Sequence, residues 1–330
     1  MTIGRQGFGV GVFYVLIANL GWSLSGLFVR LINSSDVNHL TGWQINCWRG
    51  FWMAVALLCY IVVIHGRDTG RVFKSIPPYG MVLSALCFAL GTTLYVSSLT
   101  LVNTATVSII GATSPIVTGL LSRWITGERP GAFAWVAAFV AVLGISEITL
   151  KVFTTFFATY MSGSAIMPNV LLHQEQVNYF GLLLCFGVPI TFAGQTLMLR
   201  RYRNFDMMPA IFLGGVLSFI VAGIVSSSGL SWAGVTAFNI TAYDFFLLML
   251  MGPLQLAIPL VFYGMGARSV PAITLSLLAM MDAVINPLWP WIFVGETPSR
   301  STLVGCAIIL IAVGLSVVGQ QYINARARPA

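Results

Sequence analysis

Charge is scarce in this chain. Asp, Glu, Lys and Arg together make 8% of the 330 residues, and the acidic ones number 9. A soluble domain with so few charges would not stay dispersed, so most of the chain belongs in lipid. Lysine is confined to Lys74 and Lys151. No Gly-x-x-x-x-Gly-Lys-Ser/Thr phosphate loop can therefore be written, which excludes an ATP-driven pump within the chain. The histidines are His39, His65 and His173, all expected in loops and none in a His-x-x-x-His pattern, so no metal site is expected. Neither a pair of midplane aspartates nor a Gly-x-Ser-x-Gly turn occurs, which weighs against intramembrane proteolysis and acyl transfer. The expectation is a non-enzyme without cofactors. Cysteines are few (Cys47, Cys59, Cys87, Cys185 and Cys306), lie in apolar runs and show no paired spacing. They read as small hydrophobes.

What the chain does have is apolar residues, at 58%, and a mean hydropathy of +0.91. It also contains one pattern twice. Asn103 to Gly131 and Pro271 to Arg300 are each an apolar run that ends in Gly-Glu, with a Pro two residues on and another apolar run after it. Matching Glu128 to Glu296 aligns two stripes of small or polar residues at steps of three and four. The first is Thr104, Ser108, Gly111, Pro115, Thr118 and Ser122; the second is Ala272, Ser276, Ala279, Ala283, Asn286 and Pro290. Such a stripe on a membrane helix faces protein or water, and its recurrence indicates a duplication.

Apolar runs place ten spans near 9–32, 41–64, 78–98, 103–125, 131–151, 178–199, 208–227, 243–265, 270–293 and 301–320, all helical because helices satisfy their own backbone in lipid. The first is expected to be retained rather than removed as a signal peptide. An even number of spans puts both termini on one side. With that side in the cytoplasm, Arg5, Arg67, Arg71, Lys74, Arg123, Arg129, Arg200, Arg201, Arg203, Arg268, Arg326 and Arg328 lie inside, and only Arg30, Lys151 and Arg300 outside. This asymmetry sets the orientation in a plasma (inner) membrane. It also accounts for the net charge of +7 without invoking nucleic acid. Five spans per half is odd, so the halves insert upside down relative to each other. The fold class expected is an all-α polytopic membrane protein of two inverted five-helix repeats, residues 1–151 and 178–330. An external linker, 152–177, joins them as a short amphipathic helix or a mobile segment.

Two charges fall near the middle of their spans. Arg49 lies about eight residues into span 2, roughly 12 Å deep in a core of about 30 Å. It binds an anion or gates, or else it forms a structural pair or bonds carbonyls of a kinked helix. Asp282 sits at similar depth in span 9, one turn from Asn286. It exchanges a proton for substrate, binds an amine, or pairs with Arg49 for structure alone. Trp22 and Trp289 lie deeper than the interfacial belts and are candidate cavity walls, with Tyr95 also in a span. Asn19, Ser23, Gln44, Asn46, Gln195 and Gln255 either bond substrate or hold helices together. Glu128 and Glu296 sit in Gly-Glu-x-Pro turns beside the starts of spans 5 and 10, as helix-terminal caps or as gates. Glu147, late in span 5, is expected to be wet. Pro115 and Pro287 join Glu128 and Glu296 as gate or turn candidates, and Pro189, Pro253, Pro259, Pro287 and Pro290 inside spans mark cavity walls, hinges or fixed kinks.

These residues resemble the drug/metabolite transporter superfamily, in its ten-span EamA type. The likeness lies in Ala18-Asn-Leu-Gly-Trp-Ser, Arg49, Leu101-Val-Asn-Thr-Ala through Ser114-Pro115 to Gly127-Glu128-Arg-Pro, and Asn286-Pro287-Leu-Trp to Gly295-Glu296-Thr-Pro with Gly305. The second copy departs from the first, with Ala283 where Pro115 stands and the proline moved to Pro287. The resemblance implies a central cavity lined by spans 1–4 and 6–9, with spans 5 and 10 peripheral. It also implies alternating-access transport, often export, of a small metabolite such as an amino acid or amine. Proton coupling through Asp282, an uncoupled facilitative carrier, a membrane sensor and a lipid scramblase stay open as alternatives, as does homodimer formation. The partners expected are the metabolite and the bilayer.

Overall fold

The computed structural model describes residues 7–32, 40–101, 107, 110–144, 179–227, 240–286, 288–294 and 300–326. All regular structure among the described residues is helical, with no strand. The helices are α1 (Phe8–Trp22), α2 (Ser25–Ile32), α3 (Gly42–His65), α4 (Thr69–Ser75), α5 (Pro78–Leu101) and α6 (Ser114–Ile125). After α7 (Ala132–Gly144) come α8 (Tyr179–Arg201), α9 (Met208–Ser227), α10 (Ala242–Met251), α11 (Ile258–Ala267), α12 (Ala272–Ala279), α13 (Met281–Ile285), α14 (Leu288–Val294) and α15 (Arg300–Arg326). Among the described residues, six segments are long and apolar enough to cross a membrane: Gly42–Ser75, Pro78–Tyr95, Leu183–Arg201, Met208–Ser226, Ala242–Ala267 and Leu303–Tyr322. Phe8–Trp22, Ala132–Gly144 and Ala272–Ile285 are shorter apolar helices.

Several expected spans are interrupted. The first breaks at Ser23–Leu24 between α1 and α2. The eighth carries a π-helical turn, Gly252–Ala257, that joins α10 to α11. Pro253 brings no N–H to that turn, and the wider hydrogen-bond ring absorbs the defect. The fourth turns at Ala112–Thr113 before α6, whose first turn holds Pro115. The ninth breaks at Met280 between α12 and α13. In the register that matches Glu128 to Glu296, Met280 falls on Ala112. The linker 152–177, Thr104, Ser108, Glu147, Pro287 and Glu296 lie outside the described residues. His65, expected in a loop, is the last residue of α3.

Local chemistry sets the helix ends. Thr41 and Gln44 form a reciprocal capping box at the start of α3, and Gly66, at φ +52°, ends it in a conformation that favours glycine. Thr241 accepts the Asp244 N–H at the start of α10.

Helices pack where glycine lets backbones meet. A Cβ on Gly50 would stand 3.2 Å from the Gly215 carbonyl, and one on Gly266 3.0 Å from the Gly11 carbonyl. These contacts join α3 to α9 and α11 to α1. The main pairings are α3 with α9, α5 with α8 and α9, α1 with α11 and α12, α6 with α8 and α12, and α3 with α10 and the π-turn. On α7, Phe133, Val136, Phe139 and Leu143 are exposed while Ala134, Ala137, Ala138 and Ala141 are buried. Gly144 of α7 lies against Gly305 and Ile309 of α15, so these two helices pack together with an apolar face turned outward.

Candidate functional site

Arg49 is buried on α3, and its Nη2 donates to Asn46 Oδ1 at 3.1 Å. Asn46 Nδ2 donates to Ser218 Oγ of α9 at 3.1 Å, and Ser218 Oγ meets Thr92 Oγ1 of α5 at 3.1 Å. A polar relay therefore crosses three helices and fixes the guanidinium. Its Nε has no hydrogen-bond partner among the described residues. Tyr95, one turn beyond Thr92 on α5, is 40% exposed and lies within electrostatic reach of both Arg49 and Asp282. Arg49 and Asp282 do not form an ion pair with each other; the ion pairs among the described residues are His65–Asp206, Arg71–Asp68 and Arg200–Glu128.

Asp282 is the second residue of the short helix α13, which follows the Met280 break. Its backbone N–H donates to Asn19 Oδ1 at 3.1 Å. Asn19, fully buried on α1, also donates to the Leu278 carbonyl at 2.9 Å and to the Val15 carbonyl at 2.8 Å. Asn19 thereby grips both sides of the break, and its two amide donors are spent on protein. Asp282 Oδ1 has no hydrogen-bond partner among the described residues. The break divides two environments: all eight residues of α12 are buried, and none of α13 is. Asn286, just past α13, is half-buried as well.

The remaining expected residues separate by their bonds. Ser23 Oγ donates to the Leu20 carbonyl at 2.8 Å and accepts Trp289 Nε1 at 2.7 Å, tying α14 to the end of α1. Trp22 packs on Tyr263 with centroids 5.0 Å apart, and Tyr263 bonds Thr196 at 2.9 Å. Gln195 Oε1 accepts from Ser84 Oγ at 3.0 Å, while its Nε2 and the Oε1 of Gln255 in the π-turn are buried without partners among the described residues. Gln44 serves the capping box of α3.

Glu128 departs from its expected place. It stabilises a helix N-terminus, but that of α12 rather than of the helix that follows it. Oε2 accepts the Ala272 N–H at 2.9 Å, and Oε1 accepts Arg200 Nε at 2.6 Å. Arg200, 8% exposed, also donates from Nη1 to the Ala267 and Arg268 carbonyls at 3.0 Å each. Arg201 donates to the Ile125 carbonyl at the same end. Further along this seam Thr118 Oγ1 meets Ser276 Oγ at 2.9 Å, both buried. The expectations missed Arg200. An arginine at a helix end reads as a marker of orientation, and nothing in the local sequence sets it apart from Arg201 or Arg203. A small pocket beside this end, lined by Tyr60, Arg203, Asp206 and Arg268 among others, contains none of the expected site residues.

The EamA-like transporter family model matches residues 9–150. None of the curated proteins compared matches the sequence. Among solved structures, 28 chains match. One, titled only "Crystal structure of protein", has a TM-score of 0.71 at 13% identity and covers 96% of this chain and 99% of its own. At that identity the likeness is one of fold, and it spans both halves. Residues 9–150, which contain α1 to α7, are thus similar to the EamA-like transporter family.

Proposed function

We propose that the chain is a ten-span secondary transporter of a small polar or amphipathic metabolite, built as two inverted five-helix repeats and working by alternating access with both termini in the cytoplasm. The observation that carries this reading is the contrast at Met280. α12 is wholly buried toward the arginine-rich end, and α13 beyond the break has no fully buried residue. A tightly packed segment on one side of a midplane break and a looser one on the other supports a carrier closed toward one face.

Two further features support it. The helix pairings survive exchange of the halves: α5 on α8 is mirrored by α11 on α1, and α5 on α9 by the π-turn and α10 on α3. The breaks before α6 and between α12 and α13 fall in register, and discontinuous helices at the midplane are where carriers bind. Arg49 offers a cation and Asp282 a carboxyl group toward the same tyrosine. In this reading the first meets an anionic group and the second carries a coupling proton or binds an amine.

The test is counterflow in proteoliposomes loaded with amino acids, amines and nucleosides, with and without a pH gradient, for wild type and Asp282→Asn. Gradient-dependent flux that loses this dependence in the variant is the expected result. Gradient-independent flux retained by the folded variant would favour an uncoupled carrier. Flux of no member of the mixture would count against the transport reading and for a sensor or scramblase.

A further inference from the structure

Glu128 and Arg200 stand in different halves of the chain, and their bonds meet at one end of the seam. Both carboxylate oxygens of Glu128 are spent across the interface, one on Arg200 Nε and one on the Ala272 amide. Arg200 in turn holds the carbonyls of Ala267 and Arg268 at the end of α11. The turn from α11 to α12 is thereby tied to Glu128, just past the end of α6. From this knot the seam runs inward through Gly119, whose Cβ would stand 2.8 Å from Ile273 Cδ1, to the Thr118–Ser276 bond. Beyond it, a Cβ on Gly111 would meet nothing within 4 Å, and α13 has no buried residue. The interface between the halves is therefore tightly packed from the Glu128 end through α12 and looser beyond the Met280 break.

We propose that the Glu128–Arg200 pair, seated on the Ala272 amide, is the latch of the cytoplasmic gate. It holds α6, α8 and α12 together while the cavity faces outward, and it must part for the cavity to face inward. The proposal rests on the alternating-access reading. A carboxylate and a guanidinium suit the task because the pair is strong when dry and weak when water enters. Partial separation therefore promotes complete separation. The Ala272 amide adds direction, since Glu128 also neutralises the N-terminal end of α12 and loses that interaction when α12 swings away.

The experiment is hydrogen–deuterium exchange of the full-length protein in nanodiscs, for wild type, Glu128→Gln and Arg200→Lys. The first variant removes the carboxylate charge, and the second keeps a cation but cannot bond Glu128 and two carbonyls at once. Exchange in peptides covering 270–280 is expected to rise on the order of tenfold in both, because the pair is largely desolvated. Exchange in 281–286 is expected to fall as the opposite face closes. A rise in 270–280 with no fall in 281–286 would keep the latch and overturn alternating access. Wild-type exchange in 270–280, or an equal rise in every helix, would overturn the latch and leave the pair a structural contact.

Discussion

Asn19 and Asp282 are joined across the membrane-spanning core by a 3.1 Å bond from the Asp282 amide to the Asn19 side chain, although 263 positions separate them. This bond and the Asn19–Leu278 bond give the broken backbone at Met280 the partners that a continuous helix would have supplied. Position and chemistry are linked through it. The residue bonded to both sides of the break also holds the backbone of Asp282.

Asn19→Leu should therefore be among the most damaging substitutions in the chain. It preserves volume but leaves the half-buried Asp282 amide without its partner, at a cost of about 1–3 kcal/mol, and removes the Asn19 bond to the Leu278 carbonyl. A fall in the thermal unfolding temperature in detergent is expected, well beyond that of Leu20→Ala on the exposed face of α1. Equal shifts for the two would show that Asn19 is not what holds the break.

Arg49→Gln should separate function from stability. The guanidinium is buried, its Nε is unpartnered among the described residues, and Asn46 can bond an amide instead. A buried cation without a counter-ion costs stability, so its neutral replacement should unfold at the same or a higher temperature. Flux in the counterflow assay should nevertheless fall at least about tenfold, as expected of a charge kept for binding. A marked loss of thermal stability would assign Arg49 to structure.

Two glycine substitutions should diverge. At Gly252, a Cβ would stand 2.5 Å from Trp52 Cβ and 2.7 Å from the Met53 backbone nitrogen. Backbone cannot give way as a flexible side chain does. Gly252→Ala should cost about 1–3 kcal/mol or more through displacement of the π-turn from α3. At Gly111 nothing lies within 4 Å, so Gly111→Ala should be neutral in the same thermal assay.

Much of this architecture could be read in the sequence, because lipid leaves so few options. Apolar runs located the helices, and depth along a run singled out Arg49 and Asp282. The break before α6 was marked by Pro115. The break at Met280 was not legible, because Leu278-Ala-Met-Met-Asp282 contains neither proline nor glycine and the turn is held by Asn19 from another helix. The partner of Glu128 was hidden for a similar reason. Its Gly-Glu-x-Pro setting pointed to the helix that follows, while the carboxylate reaches α12 and Arg200, a choice made by packing between the halves. Sequence periodicity also could not separate residues whose polar atoms bond protein from those whose polar atoms stay unpartnered. Asn19 and Ser23 turned out to be bonded to neighbouring helices, and the Asp282 Oδ1 has no partner among the described residues.

The Thr118–Ser276 bond offers the sharpest quantitative check of the seam. Both hydroxyls are buried, 2.9 Å apart, and each belongs to a different half. Polar pairs between membrane helices have coupling energies averaging about 0.6 kcal/mol and reaching about 1.7 kcal/mol. A double-mutant cycle of Thr118→Val and Ser276→Ala, read by unfolding, should fall in that range, since the two side chains share one bond. If the seam also parts during transport, each single variant should shift exchange of 270–280 upward in folded protein, by less than Glu128→Gln does, because one neutral bond is lost instead of an ion pair. A coupling near zero would mean that the hydroxyls are satisfied independently and that the seam is held by the Glu128 knot alone.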